Sequence, residues 1–123
     1  MNEIKNSHLM TDEQRLMRDA RIRLAQEVAA LLSTEDPQGS MIATTMSNID
    51  LMEALYVAYD TGIVTDSYGD PMPFAQIVRS VCQILDRPIP SNPYDCARRG
   101  QRRKGVLRSN FITRYAKRMN ADK

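Results

Sequence analysis

The sequence predicts a small, mainly α-helical domain of four to five helices, with at most one very short β-hairpin around residues 63–73. Apolar residues recur at three- and four-residue steps in successive segments, which is typical of amphipathic helices. Capping residues precede these segments, and glycine or proline follows them. The 123 residues, 42% of them hydrophobic, are enough for one modest core. We therefore expect a single helical domain over residues 11–123, preceded by a disordered polar tail over residues 1–10.

The first helix begins at a capping box, in which Thr11 and Gln14 satisfy each other's backbone amides. An apolar face follows at helical spacing, which predicts a helix to about Leu32; its residues are Met17, Ala20, Leu24, Val28 and Leu31. Turn-forming residues predict a loop over 33–40, and Met41 to Met46 are expected to add a short helical turn.

Ser47 or Asn48 is expected to cap the second helix, and Gly62 is expected to end it. Its apolar face is broad and consists of Leu51, Met52, Leu55, Tyr56 and Tyr59. Asp50 and Glu53 fall in its first turn, where carboxylates interact favourably with the helix dipole. We interpret the two acids in that way and assign them no further function.

The third helix is predicted from about Pro73 to Asp86. The segment before it, with a turn at residues 66–70, favours the short hairpin, although Pro71 and Pro73 limit its pairing. The inward-facing residues of the helix are expected to be Phe74, Ile77, Val78, Val81 and Leu85.

Two helices are predicted in the last third of the chain. Asn92 as N-cap, Pro93 at the first helical position and Asp95 near the positive end of the dipole indicate a helix start. Whether that helix stops at Gly100 or continues to about Lys104 is left open by the sequence. Ser109 is expected to cap the last helix, whose inner face consists of Phe111, Ile112, Tyr115 and Met119.

The residues that would support catalysis or metal binding are too few and too scattered. His8 lies in the predicted tail, Cys82 falls on the inner side of the third helix, and Cys96 has no histidine base nearby. One histidine and two cysteines do not make a zinc site. Gly100 and Gly105 have the gap of a phosphate-binding loop but lack its Lys and Ser/Thr. The sequence therefore predicts no enzyme activity, no metal and no cofactor.

The chain is expected to be cytoplasmic. It has no apolar run long enough to span a bilayer and no apolar segment typical of a signal peptide near its N-terminus. Its two cysteines are too few for a disulfide framework and suit a reducing compartment.

Charge is distributed unevenly along the chain. Residues 1–86 carry six cations against thirteen acids, a balance of −7, whereas residues 87–123 carry eleven cations against two acids, a balance of +9. Asymmetry of this size suggests a polyanionic partner for the basic end. The alternative is that the acidic and basic parts neutralise each other across the fold.

The stretch over residues 96–118 is rich in Arg and Lys and contains no Asp or Glu. It predicts contact with the phosphates of duplex DNA, because clustered cations release counterions when they bind phosphates. The helix pair over residues 92–120 also fits a helix-turn-helix module, without indicating which helix would enter a groove. Aromatic residues are few, and Tyr94 and Tyr115 are not spaced like stacking platforms for single strands, which favours duplex DNA over RNA. The predicted contacts are Arg98, Arg99, Arg102, Arg103, Lys104, Arg108, Arg114, Lys117 and Arg118. If they bind a ligand, Arg99, Arg102 and Arg103 are expected to lie in solvent with few internal ion pairs, and the apolar face of the last helix is expected to leave its cations free. The alternative function is a non-enzymatic interaction module whose basic face binds an acidic protein.

A family resemblance covers roughly residues 48–119. The residues that carry it are 48–59 followed by Thr61-Gly62-Ile63, then 74–77, and finally Arg102-Arg103-Lys104, Phe111-Ile112 and Met119. In order and spacing they resemble the "DL-E-Y-A, small, G-I" segment, the next helix and the closing "R-K, F-L, M" pattern of the RteC family, in its C-terminal part. That family consists of helical regulators linked to conjugative elements of Bacteroidetes, thought to bind DNA upstream of excision genes. The resemblance implies a small DNA-binding or regulatory protein of a mobile element.

Overall fold

The computed structural model describes residues 10–33, 46–103 and 109–121. Several predictions lie largely or wholly outside these residues: the disordered tail over 1–10, the loop over 33–40, the helical turn over 41–46, and the positions of Lys104 and Arg108. Of the parts that are described, Ser33 belongs to a helix, which corrects the start of the loop. Within the described residues the fold class is confirmed, since five helices and no strand are present.

The first helix, α1, spans Asp12–Ser33 and starts at the predicted capping box. The Thr11 amide donates to Gln14 Oε1 and the Gln14 amide donates to Thr11 Oγ1, both at 3.0 Å. Four of the five predicted inner residues are buried, and Met17 is partly buried.

The second helix, α2, spans Asn48–Thr61 and has the caps that the sequence predicts. The Ser47 side chain accepts from the Asp50 amide, and Gly62 ends the helix at a φ of 73°, a left-handed conformation that glycine adopts without a Cβ penalty. This helix lies at the centre of the domain and packs against the other four helices. It is therefore buried over most of its circumference.

A tight turn connects α2 to the third helix and takes the place of a true hairpin. The only pairing that the described residues show there is an isolated antiparallel bridge between Thr65 and Pro71. Asp66 Oδ1 accepts from the amides of Tyr68 and Asp70, which holds the turn together. The bridge does not extend because Pro71 and Pro73 have no amide to donate.

The third helix, α3, spans Phe74–Ile84, and its five predicted inner residues are all buried. It ends two residues before the predicted limit, because Asp86 adopts a positive φ of 53° that breaks the helical path. After this break, Arg87 Nη1 donates to the Met46 carbonyl and Nη2 donates to Asn48 Oδ1, each at 2.7 Å. The end of α3 is thus attached to the beginning of α2.

The last two helices are α4, over Pro93–Gln101, and α5, over Phe111–Ala121. Asn92 caps α4 and accepts from the Asp95 amide, as predicted. The helix includes Gly100 and ends one residue later, at Gln101. Of the two ends that the sequence left open, the earlier one, at Gly100, is therefore close to the observed end. Both helices pack against α2, and α5 also packs against α1.

Candidate nucleic-acid interface

The beginning of α2, the end of α4 and the beginning of α5 meet at one junction, and Gly100 makes their close approach possible. A Cβ atom at Gly100 would lie 2.8 Å from Glu53 Oε1, 3.0 Å from Glu53 Cβ and 3.1 Å from Ile49 Cγ2. The first of these contacts is closer than real Cβ atoms essentially ever make, and the other two are tighter than nine in ten real Cβ contacts. A glycine inside a helix lowers the stability of the helix by about 1 kcal/mol relative to alanine. At this position the absence of a Cβ atom allows α4 to pack closely against α2.

Glu53 is fully buried at this junction and receives the free amides of α5. Its Oε1 accepts from the Phe111 amide at 2.8 Å, and its Oε2 accepts from the Ile112 amide at 3.1 Å. The first amides of a helix have no partner inside the helix, and the helix dipole favours a carboxylate there. Glu53 therefore anchors the beginning of α5 to the middle of the domain.

The pKa of Glu53 reflects two opposing influences. Burial raises the pKa of this carboxyl group above its ordinary value, and the two backbone amide donors act in the opposite direction. Of the neighbouring charges, Asp50 raises the pKa further and Arg114 lowers it. A carboxyl group in this position is a structural element of the junction, since both of its oxygens are already occupied by backbone amides.

The N-cap of α5 is Asn110, and the prediction of Ser109 is wrong. Asn110 Oδ1 accepts from the Thr113 amide at 3.1 Å, while Asn110 Nδ2 donates to the Gln101 carbonyl at 3.3 Å. One side chain thus satisfies the start of α5 and the end of α4 together. The Ser109 carbonyl accepts instead from Arg114 Nε at 3.3 Å.

Asp50 pairs with two of the predicted phosphate-binding arginines. Its Oδ1 lies 2.6 Å from Arg114 Nη2 and 3.6 Å from Arg103 Nη1. The side chain of Asp50 is 13% exposed, that of Arg103 is 22% exposed and that of Arg114 is 43% exposed. The expectation of an exposed, unpaired side chain is wrong for Arg103, which is both paired and largely buried. Arg114 is exposed but is not free, because it too is paired with Asp50.

Arg99 is also paired, although its pair is exposed. Its Nε lies 3.1 Å from Asp95 Oδ2, one turn earlier on α4, and both side chains are more than half exposed. A pair of this kind contributes about 0.3–0.5 kcal/mol. A phosphate can therefore displace Asp95 at little cost, and Arg99 remains accessible in a way that Arg103 is not.

Four of the predicted contacts are exposed cations with no carboxylate partner among the described residues: Arg98, Arg102, Lys117 and Arg118. We call these four residues the free basic set. Arg98 lies on α4 and Arg102 is the C-cap residue of that helix, one turn later, while Lys117 and Arg118 lie on α5. Lys104 and Arg108 lie between the two helices in sequence, outside the described residues.

The inner face of α5 explains why its cations point away from the core. The four apolar residues predicted for that face are all buried. The buried Tyr115 hydroxyl donates to the Glu27 carboxylate of α1. Burial and this hydrogen bond raise the pKa of Tyr115, so the hydroxyl remains a donor. Docking on this side leaves Lys117 and Arg118 in solvent.

The pairings of Asp50 and Glu53 are the features that sequence reasoning missed. The helix dipole explanation treats both residues as surface acids, whereas Glu53 is buried and Asp50 nearly so. One signal was available in the sequence. Apolar residues lie on both sides of Glu53, at Met52 and Ala54, and a helix that is apolar nearly all round is a buried one. An acid on such a helix requires partners from elsewhere in the chain.

A separate cleft of about 670 Å³ lies between the end of α1, the turn after α2, and α3. Among the described residues that line it, Asp66 is the one with a titratable side chain, and its Oδ1 is engaged in the turn. Cys82, predicted as a core residue, is buried in α3, and burial raises the pKa of its thiol. Neither feature brings together the groups that acid–base or nucleophilic catalysis needs.

Comparison with known proteins gives no match: no family model, no curated protein and no solved structure matches this chain. The RteC resemblance therefore stays a prediction. In the part of the chain that the structure describes, no helix is long and apolar enough to cross a membrane. The same residues contain no group of three or more His, Cys, Asp or Glu side chains placed to hold a metal ion.

Proposed function

We propose that this protein is a small DNA-binding or regulatory protein that contacts the phosphates of duplex DNA through its last two helices. The observation that carries the proposal is the free basic set, four exposed cations without a described carboxylate partner. Unpaired cations of one sign repel each other and destabilise the compact state, so a protein that keeps them gains something else from them. Phosphate contact is a function that Arg and Lys perform in most DNA-binding proteins.

The association with a conjugative or mobile element is part of the same proposal and rests on the RteC resemblance alone. The residues of that resemblance include both internal and surface positions. Leu51 and Leu55 belong to the core, whereas Arg102 belongs to the free basic set. A regulator of this kind needs a rigid helical scaffold and an accessible basic surface.

A second candidate is an interaction module for an acidic protein, and one observation favours it. Asp50 already pairs with Arg103 and Arg114, so guanidinium groups of this region form ion pairs with a carboxylate in the folded chain. An acidic partner would extend the same chemistry. Neutralisation within the described chain is incomplete, since Asp50 pairs with only two of the predicted arginines, which leaves cations for such a partner.

Pairwise neutralisation of the free basic set tests the DNA proposal. We expect the double variant Arg98→Gln with Arg102→Gln, and separately Lys117→Gln with Arg118→Gln, to weaken binding to duplex DNA. If both cations of a pair contact phosphates, the affinity should fall on the order of 10- to 100-fold at 0.1 M salt. Thermal unfolding should barely change, because these side chains have no described internal partners. Fluorescence anisotropy with a labelled duplex measures the affinity.

The matched control is Arg18→Gln with Arg79→Gln, which removes two exposed cations from α1 and α3. It changes the net charge by the same amount as each test variant but leaves the free basic set intact. We therefore expect its affinity for duplex DNA to stay within a few-fold of the parent's. Equal losses in all three double variants would show that net charge alone is responsible and would contradict the assignment of the surface to α4 and α5. Retained affinity in both test variants would contradict the DNA proposal itself.

A further inference from the structure

An aromatic residue continues the free basic set along α4. Tyr94, Arg98 and Arg102 follow one another at four-residue spacing, which places them on one side of the helix. Four residues of α-helix rise about 6 Å, so the three side chains leave the helix at steps of that size. Tyr94 is 49% exposed, which makes it an accessible ring beside two free cations.

The ring of Tyr94 is held in place by other rings. Its centroid lies 4.7 Å from that of Phe74 and 5.9 Å from that of Tyr56, at interplanar angles of 54° and 69°. Phe74 is a core residue and is 1% exposed. A ring that is already positioned loses little freedom when a ligand packs on it. Tyr68, by contrast, is 89% exposed, and Tyr115 is buried.

The surroundings of Tyr94 define what kind of ligand fits. A small cleft of about 90 Å³ lies beside the ring, lined by Tyr56, Tyr94, Ala97, Arg98 and Gln101. Sites that enclose a small molecule have volumes of about 300 Å³ or more, so a ligand here lies over the ring instead of entering the cleft. A flat ligand with an attached anion matches an exposed ring followed, one turn later, by a guanidinium group.

We propose that Tyr94 is a stacking subsite for an unpaired nucleobase, and that Arg98 binds the phosphate next to that base. The inference rests on the proposed DNA-binding function and deepens it, because it names DNA with an unpaired base as the preferred ligand. Every base has a π-face, so stacking on tyrosine is independent of base identity.

The test compares two DNA probes that share one strand containing 2-aminopurine. In the first probe this strand is fully paired, and in the second the 2-aminopurine is bulged. Stacking on an aromatic side chain is expected to make the parent bind the bulged probe about tenfold more tightly. Binding should also quench the fluorescence of the 2-aminopurine. Tyr94→Leu should remove both the preference and the quenching while leaving the affinity for the paired duplex unchanged. Tyr94→Phe should retain both effects.

Tyr68→Leu is the matched control, since it removes an exposed tyrosine from the turn before α3, and it should behave as the parent does. Equal affinity of the parent for the two probes overturns the subsite. That comparison needs no variant, so it stands even if Tyr94→Leu does not fold. Quenching that survives in a folded Tyr94→Leu variant overturns the subsite as well.

The affinities of the parent for the two probes separate this inference from the function on which it rests. If the parent binds neither probe, the DNA proposal and the subsite both fail. If the parent binds the paired duplex without preference, the subsite alone fails. A poly-glutamate peptide that displaces the bulged probe as effectively as unlabelled bulged DNA would also overturn the subsite, because an acidic chain has no base to stack.

Discussion

Replacing Glu53 with glutamine is expected to lower the free energy of unfolding by about 3 kcal/mol, the upper part of the range for leaving a buried donor unsatisfied. The carboxylate accepts from two amides of α5, one with each oxygen. Glutamine has a single acceptor oxygen, and its amide group would place a donor against one of the two backbone donors. Glu53 is fully buried, so water does not replace the lost bond. Loss of this anchor should loosen the attachment of α5 to α2.

Glu13→Gln is the matched control, because Glu13 is an exposed acid in the first turn of α1. We expect its stability to change by less than about 0.5 kcal/mol, as for most surface substitutions. Urea unfolding followed by circular dichroism measures both variants. A Glu53→Gln protein as stable as the parent would show that the two hydrogen bonds do not hold α5 in place.

Replacing Asp50 with asparagine is expected to have opposite effects on stability and on DNA affinity. The change removes the charge between Arg103 and Arg114, and we expect a loss of about 1–3 kcal/mol for a partly buried, charge-assisted contact. Nη1 of Arg103 is buried and has no hydrogen-bond partner within the described structure, so the nearby negative charge of Asp50 is important to it. Both arginines would become available to phosphates, and duplex affinity should rise by up to about tenfold.

Asp95→Asn is the appropriate comparison, since it makes the same charge change at the exposed pair with Arg99. Its stability should stay within about 0.5 kcal/mol of the parent. Thermal unfolding measures the stability of the two variants, and anisotropy titration measures their affinity for duplex DNA. Equal behaviour of the two variants would mean that the buried position of Asp50 has no energetic importance.

The helices could be predicted because their signals are local. The Thr11–Gln14 box, the Ser47 and Asn92 caps and the left-handed Gly62 each act within a few residues, and all four are present in the structure. The apolar faces follow from helical periodicity in the same way. The hairpin was reduced to one bridge by the two prolines, which is also a local effect.

The junction could not be predicted because its partners are far apart in sequence. Glu53 and Phe111 are separated by 58 residues, and Asp50 and Arg114 by 64. Nothing in the periodicity of either segment indicates that an acid of one will receive the amides or guanidinium group of the other. The sequence indicated Gly100 only as one of two possible ends of its helix, and its role follows from the position of Glu53 against it.

The basic surface was predicted as a region and not residue by residue. The excess of cations after residue 86 is a property of the sequence. Which of these cations remain free depends on where Asp50 and Asp95 lie in the folded chain. Of the seven predicted contacts that the structure describes, Arg99, Arg103 and Arg114 are therefore paired, and the other four form the free basic set.

The salt dependence of duplex binding tests the central claim, that the free basic set contacts DNA phosphates, most directly. Each phosphate neutralised contributes about −0.9 to the slope of log affinity against log salt, so four contacts give a slope of about −4 for the parent. Either double variant, Arg98→Gln with Arg102→Gln or Lys117→Gln with Arg118→Gln, should reduce it to about −2. A parent slope near zero at measurable affinity, or a slope that neither variant changes, would contradict the claim.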